Sequence, residues 1–306
     1  MPPRPLRARR LGRTELAVTE IGLGGAWLLG RRGDLPLEHG VATIRRALEL
    51  GVTYLDTAEC YIGGRSEEVF GAALADYEGS YVLATKFGHR PREFDWSREA
   101  IVASVEESLR CLRRESVDLL QVHTPAEPPL DAIFGPGGAL EGMRDVRDRG
   151  WCRFFGINGR HLTFLRRCLD TDAFDTLLVF QRFDLLEQSA LPLFREARAH
   201  DMGVILGSPL RLGLFGSARN ELMSRYPEED RQQVEALEAL LGGEPGGVPA
   251  AAIRFALSPP EVSVVLSGAS SPEEIGSAVA ASSAPLPQDL VDTIYRLGAD
   301  KQRALV

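Results

Sequence analysis

The sequence has few cysteines and histidines, and they do not form the patterns of a disulfide-rich or metal-binding protein. Its 306 residues include 4 Cys and 5 His. Cys60, Cys111, Cys152 and Cys168 form no CxxC pair, and the histidines form no HxH or HExxH motif. In a chain of this size, so few cysteines are expected to be free thiols in a reducing cytoplasm. The missing motifs argue against a zinc hydrolase, and no metal site is predicted.

The chain also lacks an excess of positive charge and a long apolar run. Its formal net charge is −8, which argues against a nucleic-acid partner because such a partner would require a basic face. No apolar run approaches the ~20 residues that a membrane span requires. One basic cluster lies at the N terminus and is expected to be a solvated leader, with a targeting or binding segment as the alternative. The cluster consists of Arg4, Arg7, Arg9, Arg10 and Arg13.

Short apolar runs alternate with amphipathic stretches along the chain, which is the pattern of repeated βα units. Eight such runs favour a closed parallel barrel over an open sheet, and the length is typical of one barrel domain. We therefore predict an α/β fold, namely a (β/α)8 (TIM) barrel as a single domain over residues 1–306, with an extra C-terminal helix over Pro287–Ala304. The predicted strands are Glu20–Leu23, Thr53–Leu55, Tyr81–Thr85, Val117–Val122, Arg153–Ile157, Thr176–Phe180, Val204–Leu206 and Val262–Leu266.

Two further features have recognisable local signals. Ser97 is a favourable cap for a helix in which Ile101, Val105 and Leu109 share one face. The stretch from Gly207 to Pro249 interrupts the alternation and contains an acidic, helical piece from Glu228 to Leu241. Connections of that length in a compact domain are usually functional or mobile.

Four residues that could carry chemistry lie at or just beyond the ends of predicted strands two, three and four. Asp56 and Tyr61 belong to the first motif, Lys86 to the second and His123 to the third. Because the C-terminal ends of barrel strands converge on one rim, these side chains are expected to meet there. In this order they resemble the tetrad of the aldo-keto reductase superfamily, and the likeness covers almost the whole chain. The most specific part is the first motif with the residues that follow it, Gly64, Ser66 and Glu67.

The resemblance implies a role for each of the four residues in reducing a carbonyl group. Tyr61 would donate the proton, although a free phenol titrates near ~10 and needs assistance. Lys86 would lower that pKa by stabilising the phenolate, and Asp56 would keep the Lys86 ammonium charged and oriented. His123 would hydrogen-bond the substrate carbonyl and share the stabilisation of the developing oxyanion.

The same resemblance implies an NAD(P)H cofactor held by the loops after several strands. Asn158 and Gln181 would bind the carboxamide, Phe183 would stack on the nicotinamide ring, and later loops would hold the pyrophosphate and the adenosine. An alternative is that these loops are ordinary βα turns, which also favour Gly, Ser and Pro. The candidate cofactor residues are Gly25, Asn158, Gln181, Phe183, Ser208, Leu210, Gly213, Gly268, Ser270 and Glu274. The candidate substrate residues are Trp27, Phe87 and Trp96.

Two departures from the family pattern bear on the cofactor. The family usually has Gly-x-Ser-Asn after strand five, whereas this chain has Gly156-Ile157-Asn158-Gly159. The adenosine turn has no Lys, Arg or His from Leu266 to Ala281 but contains Glu274. The 2′-phosphate of NADPH would lack its usual cation there, so NADH is predicted to be used at least as well as NADPH. Arg211 or Arg219, on the long connection, could supply a cation instead.

The resulting functional prediction is a nicotinamide-dependent oxidoreductase that reduces an aldehyde or ketone, or catalyses the reverse reaction. The sequence looks closest to bacterial members of the superfamily, some of which oxidise free sugars. An aldose dehydrogenase that works oxidatively is therefore one alternative. A nucleotide-binding redox sensor or regulatory protein with little turnover is another. A small-molecule carbonyl or alcohol is the expected partner, with no membrane or nucleic-acid partner, and the oligomeric state is left open.

Overall fold

Eight parallel strands close into a barrel, as the alternating pattern predicts. The computed structural model describes residues 6–90, 93–124 and 126–304. The strands in these ranges are β1 (Ala8–Arg10), β2 (Ala17–Thr19), β3 (Ile21–Gly24), β4 (Tyr54–Asp56), β5 (Val82–Phe87), β6 (His89–Arg90), β7 (Glu93–Phe94), β8 (Val117–Thr124), β9 (Cys152–Gly159), β10 (Thr176–Phe180), β11 (Gly203–Gly207) and β12 (Val262–Ser267). The barrel runs in the order β3, β4, β5, β8, β9, β10, β11, β12 and closes where β12 pairs with β3.

Helices follow the barrel strands and cover its outer face. They are α1 (Leu37–Glu49), α2 (Ser66–Leu74), α3 (Arg98–Leu112), α4 (Leu130–Phe134), α5 (Ala139–Asp148), α6 (Leu162–Leu169), α7 (Leu191–Ala199), α8 (Arg219–Leu222), α9 (Glu228–Leu241), α10 (Gly247–Ala256), α11 (Pro272–Ala281) and α12 (Gln288–Ala304). The predicted helix from Glu228 to Leu241 and the extra C-terminal helix are both confirmed. Ser97 caps α3 by accepting a hydrogen bond from the N–H of Ala100 at 3.3 Å. No helix in these ranges is both long enough and apolar enough to span a membrane.

The buried side chains form two layers because successive residues of a strand point to opposite faces. One cluster lies inside the barrel and includes Tyr54, Ala84 and Leu178. The larger cluster lies between the barrel and its helices and includes Leu83 and Val179. This alternation determines which strand residues reach the interior and mouth of the barrel, and which are covered by helices.

An N-terminal hairpin, formed by β1 and β2, covers the end of the barrel where the strands begin. Arg9 donates to the carbonyl of Val262, the first residue of β12, at 2.6 Å, while Arg10 pairs with Asp201 and Arg13 with Asp172. The prediction of a solvated leader is therefore wrong for this segment, and Arg4 lies outside the described residues. Arg9 also donates to Glu20, and Arg10 to Glu15, both nearby in the sequence. The partners that anchor the hairpin to the barrel, however, are 159 to 253 residues away, so no local pattern could have indicated them.

Candidate active site

Asp56 and Lys86 form a buried ion pair at the mouth of the barrel. Both are at most 1% exposed, and Lys86 Nζ donates to Asp56 Oδ1 and to the carbonyl oxygen of Thr57, the latter at 2.7 Å. Gln121 Nε2 donates to the other carboxylate oxygen of Asp56 at 2.9 Å. Pairing of β4 with β5, and of β5 with β8, aligns the residues. Gln121 was not predicted, although it precedes His123 by two residues and so points to the same face.

The surroundings of Lys86 keep its amine protonated. Burial by itself would lower the pKa of Lys86, but the Asp56 carboxylate and the Tyr61 hydroxyl outweigh burial and hold the pKa above its ordinary value. A charged ammonium is thus fixed in the barrel mouth at neutral pH, with two oxygen acceptors directing it.

Tyr61 lies above this pair, in the short helical turn Tyr61–Gly64 that follows β4. The ring centroid is 4.6 Å from Lys86 Nζ. Burial raises the pKa of Tyr61 to about 12, and the opposing effect of the Lys86 charge is smaller. Lys86 thus lowers the pKa of Tyr61 as expected, but desolvation of the phenolate outweighs the effect of one ammonium. Tyr61 is a fully protonated phenol at neutral pH.

His123 completes the group from the end of β8. Its ring meets the Tyr61 ring edge-on, with the centroids 5.8 Å apart and the planes at 87°. Cys60 Sγ lies 3.6 Å from His123 Nδ1. The structure thus brings together Asp56, Tyr61, Lys86 and His123, with the phenol between an ammonium and an imidazole.

Asn158 lies beside His123, because these two residues are paired in the register of β8 and β9. The side chain of Asn158 is 1% exposed. Its Oδ1 is buried and accepts no hydrogen bond from any residue that the structure describes. A buried acceptor without a donor is costly, and an amide NH2 group, such as the carboxamide of nicotinamide, would satisfy it. The residues at this position therefore fit the implied cofactor.

The aromatic side chain that reaches the mouth from β10 is Phe180, which sequence reasoning missed. It is partly exposed and packs against the cluster inside the barrel, and its Cβ is 3.2 Å from the point where a side chain on Gly207 would begin. Gln181, the next residue, has φ of 59° and is partly exposed. The signal was available in the strand pattern, since Phe180 is two residues from the inward Leu178.

Phe183 does not lie in the barrel mouth, so its prediction as a stacking residue is wrong. Its side chain is fully buried. It stacks on Phe255 of α10 with ring centroids 5.3 Å apart and also contacts Phe194 and Tyr295. The chain turns at Gln181, which directs Phe183 outward under the helices.

Phe87 is likewise not a wall of the pocket. It is 1% exposed and belongs to the layer between the barrel and the helices, because Lys86 points inward and its neighbour must point outward. Trp96 lies near the end of the same strand, where it stacks on Phe94 at 5.3 Å and covers Gly88. Phe94 is 42% exposed, so this aromatic pair is accessible to a ligand.

The proposed pyrophosphate loop follows β11 and has an unusual backbone. Ser208, Arg211 and Leu212 all have positive φ, as does Gly213, and Leu210 is partly buried. Non-glycine residues rarely adopt this conformation. Arg31, from the loop after β3, donates to the carbonyl of Leu212 at 2.7 Å. The loops after β3 and β11 therefore touch across the rim.

The adenosine turn is held by its own side chains. Glu274 Oε2 accepts hydrogen bonds from the N–H and the hydroxyl of Ser270, at 2.8 and 2.9 Å. His39 of α1 contacts the Ser270 carbonyl oxygen through Nε2 at 2.5 Å, and Trp27 lies against Gly268. The structure brings these predicted residues together at one site.

The two arginines considered as substitute cations lie elsewhere. Arg211 is paired with Asp184 at 2.7 Å, and Arg219 pairs with Glu238 of α9. Both guanidinium groups are engaged by carboxylates instead of facing the adenosine turn.

Gly25 is required by packing. A side chain there would come within 2.5 Å of Ser66 Oγ and 2.7 Å of the Phe70 ring, and Ser66 donates to the Gly25 carbonyl at 3.0 Å. The glycine lets the loop after β3 pack directly on α2, which is a reason additional to the expected approach of a cofactor.

Two further carboxylates lie just outside the barrel. Glu67 is 3% exposed and accepts from Thr85 Oγ1 at 2.5 Å, and burial raises its pKa to about 7. Glu59 accepts from the N–H of Gly88 at 2.9 Å and from Ser104 Oγ at 2.6 Å. Glu59 thus connects the loop that carries Tyr61 to the residue after β5 and to α3. In the described part of the chain, no group of His, Cys, Asp and Glu side chains could hold a metal ion.

The fold and this arrangement define a class of barrel oxidoreductase, and comparison with known proteins agrees. The model of the aldo/keto reductase family matches residues 20–299. The chain belongs to this family and is an NAD(P)-dependent oxidoreductase.

Individual relatives are similar over most of their length. The L-galactose dehydrogenase of Arabidopsis thaliana is 29% identical over 90% of this chain and 88% of its own. A D-threo-aldose 1-dehydrogenase of a Pseudomonas species is 28% identical over 85% and 88%. The holo form of aldo-keto reductase AKR11C1 from Bacillus halodurans superposes with a TM-score of 0.81 and 26% identity, covering 95% of this chain and 96% of its own. Two of these names refer to sugars.

Proposed function

We propose that the protein reduces an aldehyde or ketone to an alcohol, with Tyr61 as the proton donor. The observation that supports this most directly is the position of the protonated Tyr61 phenol between the buried Lys86 ammonium and the His123 imidazole. When bound, the reduced nicotinamide supplies the hydride. The chain supplies the proton and the electrostatic stabilisation of the oxygen that receives it.

Each of the four residues then has a specific task. Tyr61 donates its phenolic proton to the carbonyl oxygen, and the Lys86 ammonium stabilises the phenolate that remains. Asp56 keeps the ammonium charged and in place. His123 hydrogen-bonds the carbonyl oxygen and limits the charge that develops on it. In the direction of alcohol oxidation, the phenolate form of Tyr61 would accept the proton.

The cofactor is proposed to lie across the mouth along residues that suit each of its parts. Asn158 Oδ1 and the Gln181 amide would bind the carboxamide, and Phe180 would take the place at the ring first assigned to Phe183. The backbone of Ser208, Leu210 and Gly213 would face the pyrophosphate.

The adenosine end is proposed to favour NADH. Glu274 places a negative charge in the first turn of α11, and its carboxylate accepts two hydrogen bonds from Ser270 of the preceding loop. A 2′-phosphate would meet this carboxylate, whereas ribose hydroxyls could donate to it. Arg211 and Arg219 are held by carboxylates elsewhere, so neither would compensate. Loss of one charge-assisted hydrogen bond corresponds to about tenfold or more in affinity.

Titration with both reduced cofactors, followed by fluorescence, tests this preference. NADH should bind at least as tightly as NADPH, and Glu274→Gln should shift the ratio towards NADPH. The exposed neighbouring glutamate, altered in Glu273→Gln, is the matched control. Tenfold tighter binding of NADPH by the unaltered protein would contradict the proposal.

A sugar dehydrogenase that works oxidatively is the second candidate, favoured by the names of the two relatives. Reduction of an aldehyde panel with NADH and oxidation of an aldose panel with NAD+ separate the two. The main proposal expects a higher kcat/KM with a carbonyl substrate. Binding of cofactor with no turnover in either direction would favour the sensor instead.

A further inference from the structure

A second polar cavity lies at the rim of the barrel, beside the proposed nicotinamide position. Its volume is about 160 Å³, and its lining comes from the segments after β9, β10 and β11 together with the long connection before α9. Because Arg160 follows β9 directly and Gln181 follows β10 directly, the cavity begins where the strands that carry Asn158 and Phe180 end. The lining residues are Arg160, Gln181, Arg182, Glu187, Arg211 and Tyr226.

The acceptors in this cavity are already occupied. Glu187 Oε1 accepts from Arg182 at 3.0 Å and from Ser189 at 2.6 Å, and its Oε2 faces Arg211 at 3.5 Å. Although burial opposes ionisation, the hydrogen bonds from Ser189 and Arg182 hold the pKa of Glu187 below its ordinary value. The Gln181 Oε1 acceptor faces Arg160 at 3.4 Å.

The donors, in contrast, have unused capacity. Arg211 Nε is buried and donates to no residue that the structure describes. Within the same part of the chain, the Arg160 guanidinium has no carboxylate partner, and its hydrogen bond is the long one to Gln181 Oε1 at 3.4 Å. The hydroxyl of Tyr226, which also lines the cavity, donates to no residue in the described ranges. The cavity therefore offers several hydrogen-bond donors and suits a ligand whose polar atoms are hydrogen-bond acceptors.

The charges point to the same kind of ligand. Arg160, Arg182 and Arg211 supply three positive charges, and the carboxylates that bind them are those of Glu187 and Asp184. These carboxylates neutralise Arg182 and Arg211, and the positive charge in excess is that of the exposed Arg160. Guanidinium groups bind carboxylates and phosphates with paired hydrogen bonds.

We infer that this cavity binds an oxyanion of the substrate, a carboxylate or a phosphate monoester, while the carbonyl group of the same molecule faces Tyr61. The inference rests on the proposed function and narrows its substrate class to acidic aldehydes and ketones. Arg160 acts as the specificity-determining residue, because it is the cation in the cavity that no carboxylate of the described residues neutralises.

Matched substrate pairs test the inference on the full chain. The kcat/KM with NADH is measured for succinic semialdehyde against butanal, and for glyceraldehyde 3-phosphate against glyceraldehyde. At least one acidic member should exceed its neutral counterpart by about tenfold or more, the effect of one charge-assisted contact. Arg160→Met should bring that ratio close to one and leave the neutral substrates within about twofold. Arg153→Met is the control, since Arg153 lies at the start of β9, the strand that Arg160 directly follows, and is therefore roughly 20 Å away.

Two binding measurements determine whether the oxyanion in this cavity belongs to the substrate or is the pyrophosphate of the cofactor. Inorganic phosphate, titrated by calorimetry, should bind the unaltered protein and bind Arg160→Met at least fivefold more weakly. The NADH affinity should be the same in both proteins. A large loss of NADH affinity in Arg160→Met would assign the cavity to the pyrophosphate of the cofactor and overturn the inference.

Other results would contradict the oxyanion inference, and they can be distinguished from results that contradict the proposed carbonyl reduction. Equal kcat/KM for acidic and neutral substrates, or a preference for neutral aldoses that survives Arg160→Met, would contradict the inference alone. Phosphate binding without any discrimination among aldehydes would mean an adventitious ion only. Absence of turnover with every carbonyl would contradict the proposed function, and failure of phosphate to bind would then contradict the cavity assignment independently.

Discussion

Lys86 is fully buried, yet two oxygen acceptors hold its ammonium, Asp56 Oδ1 and the Thr57 carbonyl, and the Tyr61 ring lies 4.6 Å from its Nζ. Such a group is stable only while its carboxylate partner remains, because an unpaired buried charge costs several kcal/mol. The same contacts direct the positive charge towards Tyr61. At the scale of single residues, stability and the proposed chemistry therefore depend on one ion pair.

Replacement of Asp56 tests this dependence. Asp56→Asn leaves Lys86 without a counter-charge, so we expect a loss of about 3–5 kcal/mol in the free energy of unfolding together with a large loss of activity. Gln121 can rotate its amide to accept from the new NH2 group, since its Oε1 has no partner in the described residues. Asp76→Asn, at a carboxylate that is 91% exposed, is the control. Unchanged melting temperature and unchanged pH–rate profile in Asp56→Asn would show that the pair has neither role.

Phe180 and Phe183 differ in position although they are three residues apart. Phe180→Leu should weaken NADH binding by a few-fold to tenfold, the value of one aromatic contact, and should change the free energy of unfolding little. Phe183→Leu should destabilise the protein by about 1–3 kcal/mol through its aromatic cluster and leave NADH affinity unchanged. Urea unfolding and cofactor titration of both variants give the answer. If Phe183→Leu weakens NADH binding and Phe180→Leu does not, Phe183 belongs to the cofactor site after all.

At the scale of elements, α2 and α3 enclose Glu67 against the outer face of β5. Its carboxyl group is bound by Thr85 and by Ser108 but is cut off from water. Burial raises its pKa in the folded protein to about 7, above the value of ~4.3 in an unfolded chain. The folded state therefore holds the proton more tightly, and the stability from this group is greatest at low pH and falls as pH rises from about 4.5 to 7.

Glu67→Gln should remove this pH dependence. Between pH 5 and pH 8 the unaltered protein should lose on the order of 2–3 kcal/mol more unfolding free energy than the variant, as a pKa difference of that size implies. Urea unfolding at the two pH values measures this difference, with the exposed neighbour altered in Glu68→Gln as control. Identical pH dependence in the unaltered protein and Glu67→Gln would show that Glu67 ionises without penalty.

Element by element, strands were predictable where apolar runs are short and bounded, and Thr176–Phe180 matches its observed range. Alternation along a strand would also have corrected two site assignments. Phe87 follows the inward Lys86 and must point outward, and Phe180 follows the inward Leu178 by two residues. Beyond the strand end, the positive φ of Gln181 ends the alternation, so the position of Phe183 could not be predicted from it.

At the scale of the whole molecule, the two ends of the barrel differ. The hairpin of β1 and β2 seals one end with Leu11 and Val18, both fully buried, whereas the other end carries the candidate site. The positions of the tetrad residues at or just beyond strand ends were enough to predict that they meet at that open end. The sealing hairpin was not predictable, because its arginines look solvated until distant carboxylates and carbonyls are placed beside them. The ion pair between Arg211 and Asp184 could not be predicted either, because the two residues are also distant in the sequence.

The central claim is that Tyr61 delivers the proton to a carbonyl at this mouth. Single-turnover oxidation of bound NADH by an aldehyde panel, followed in the unaltered protein and in Tyr61→Phe, tests it most directly. Tyr77→Phe is the control, because it removes a hydroxyl from the loop at the opposite end of the barrel, just before β5. We predict a loss of about 10²–10⁴-fold in Tyr61→Phe, the usual contribution of a general acid, with NADH affinity and melting temperature nearly unchanged. If Tyr61→Phe retains more than about a tenth of the rate while chemistry is limiting, Tyr61 is not the acid.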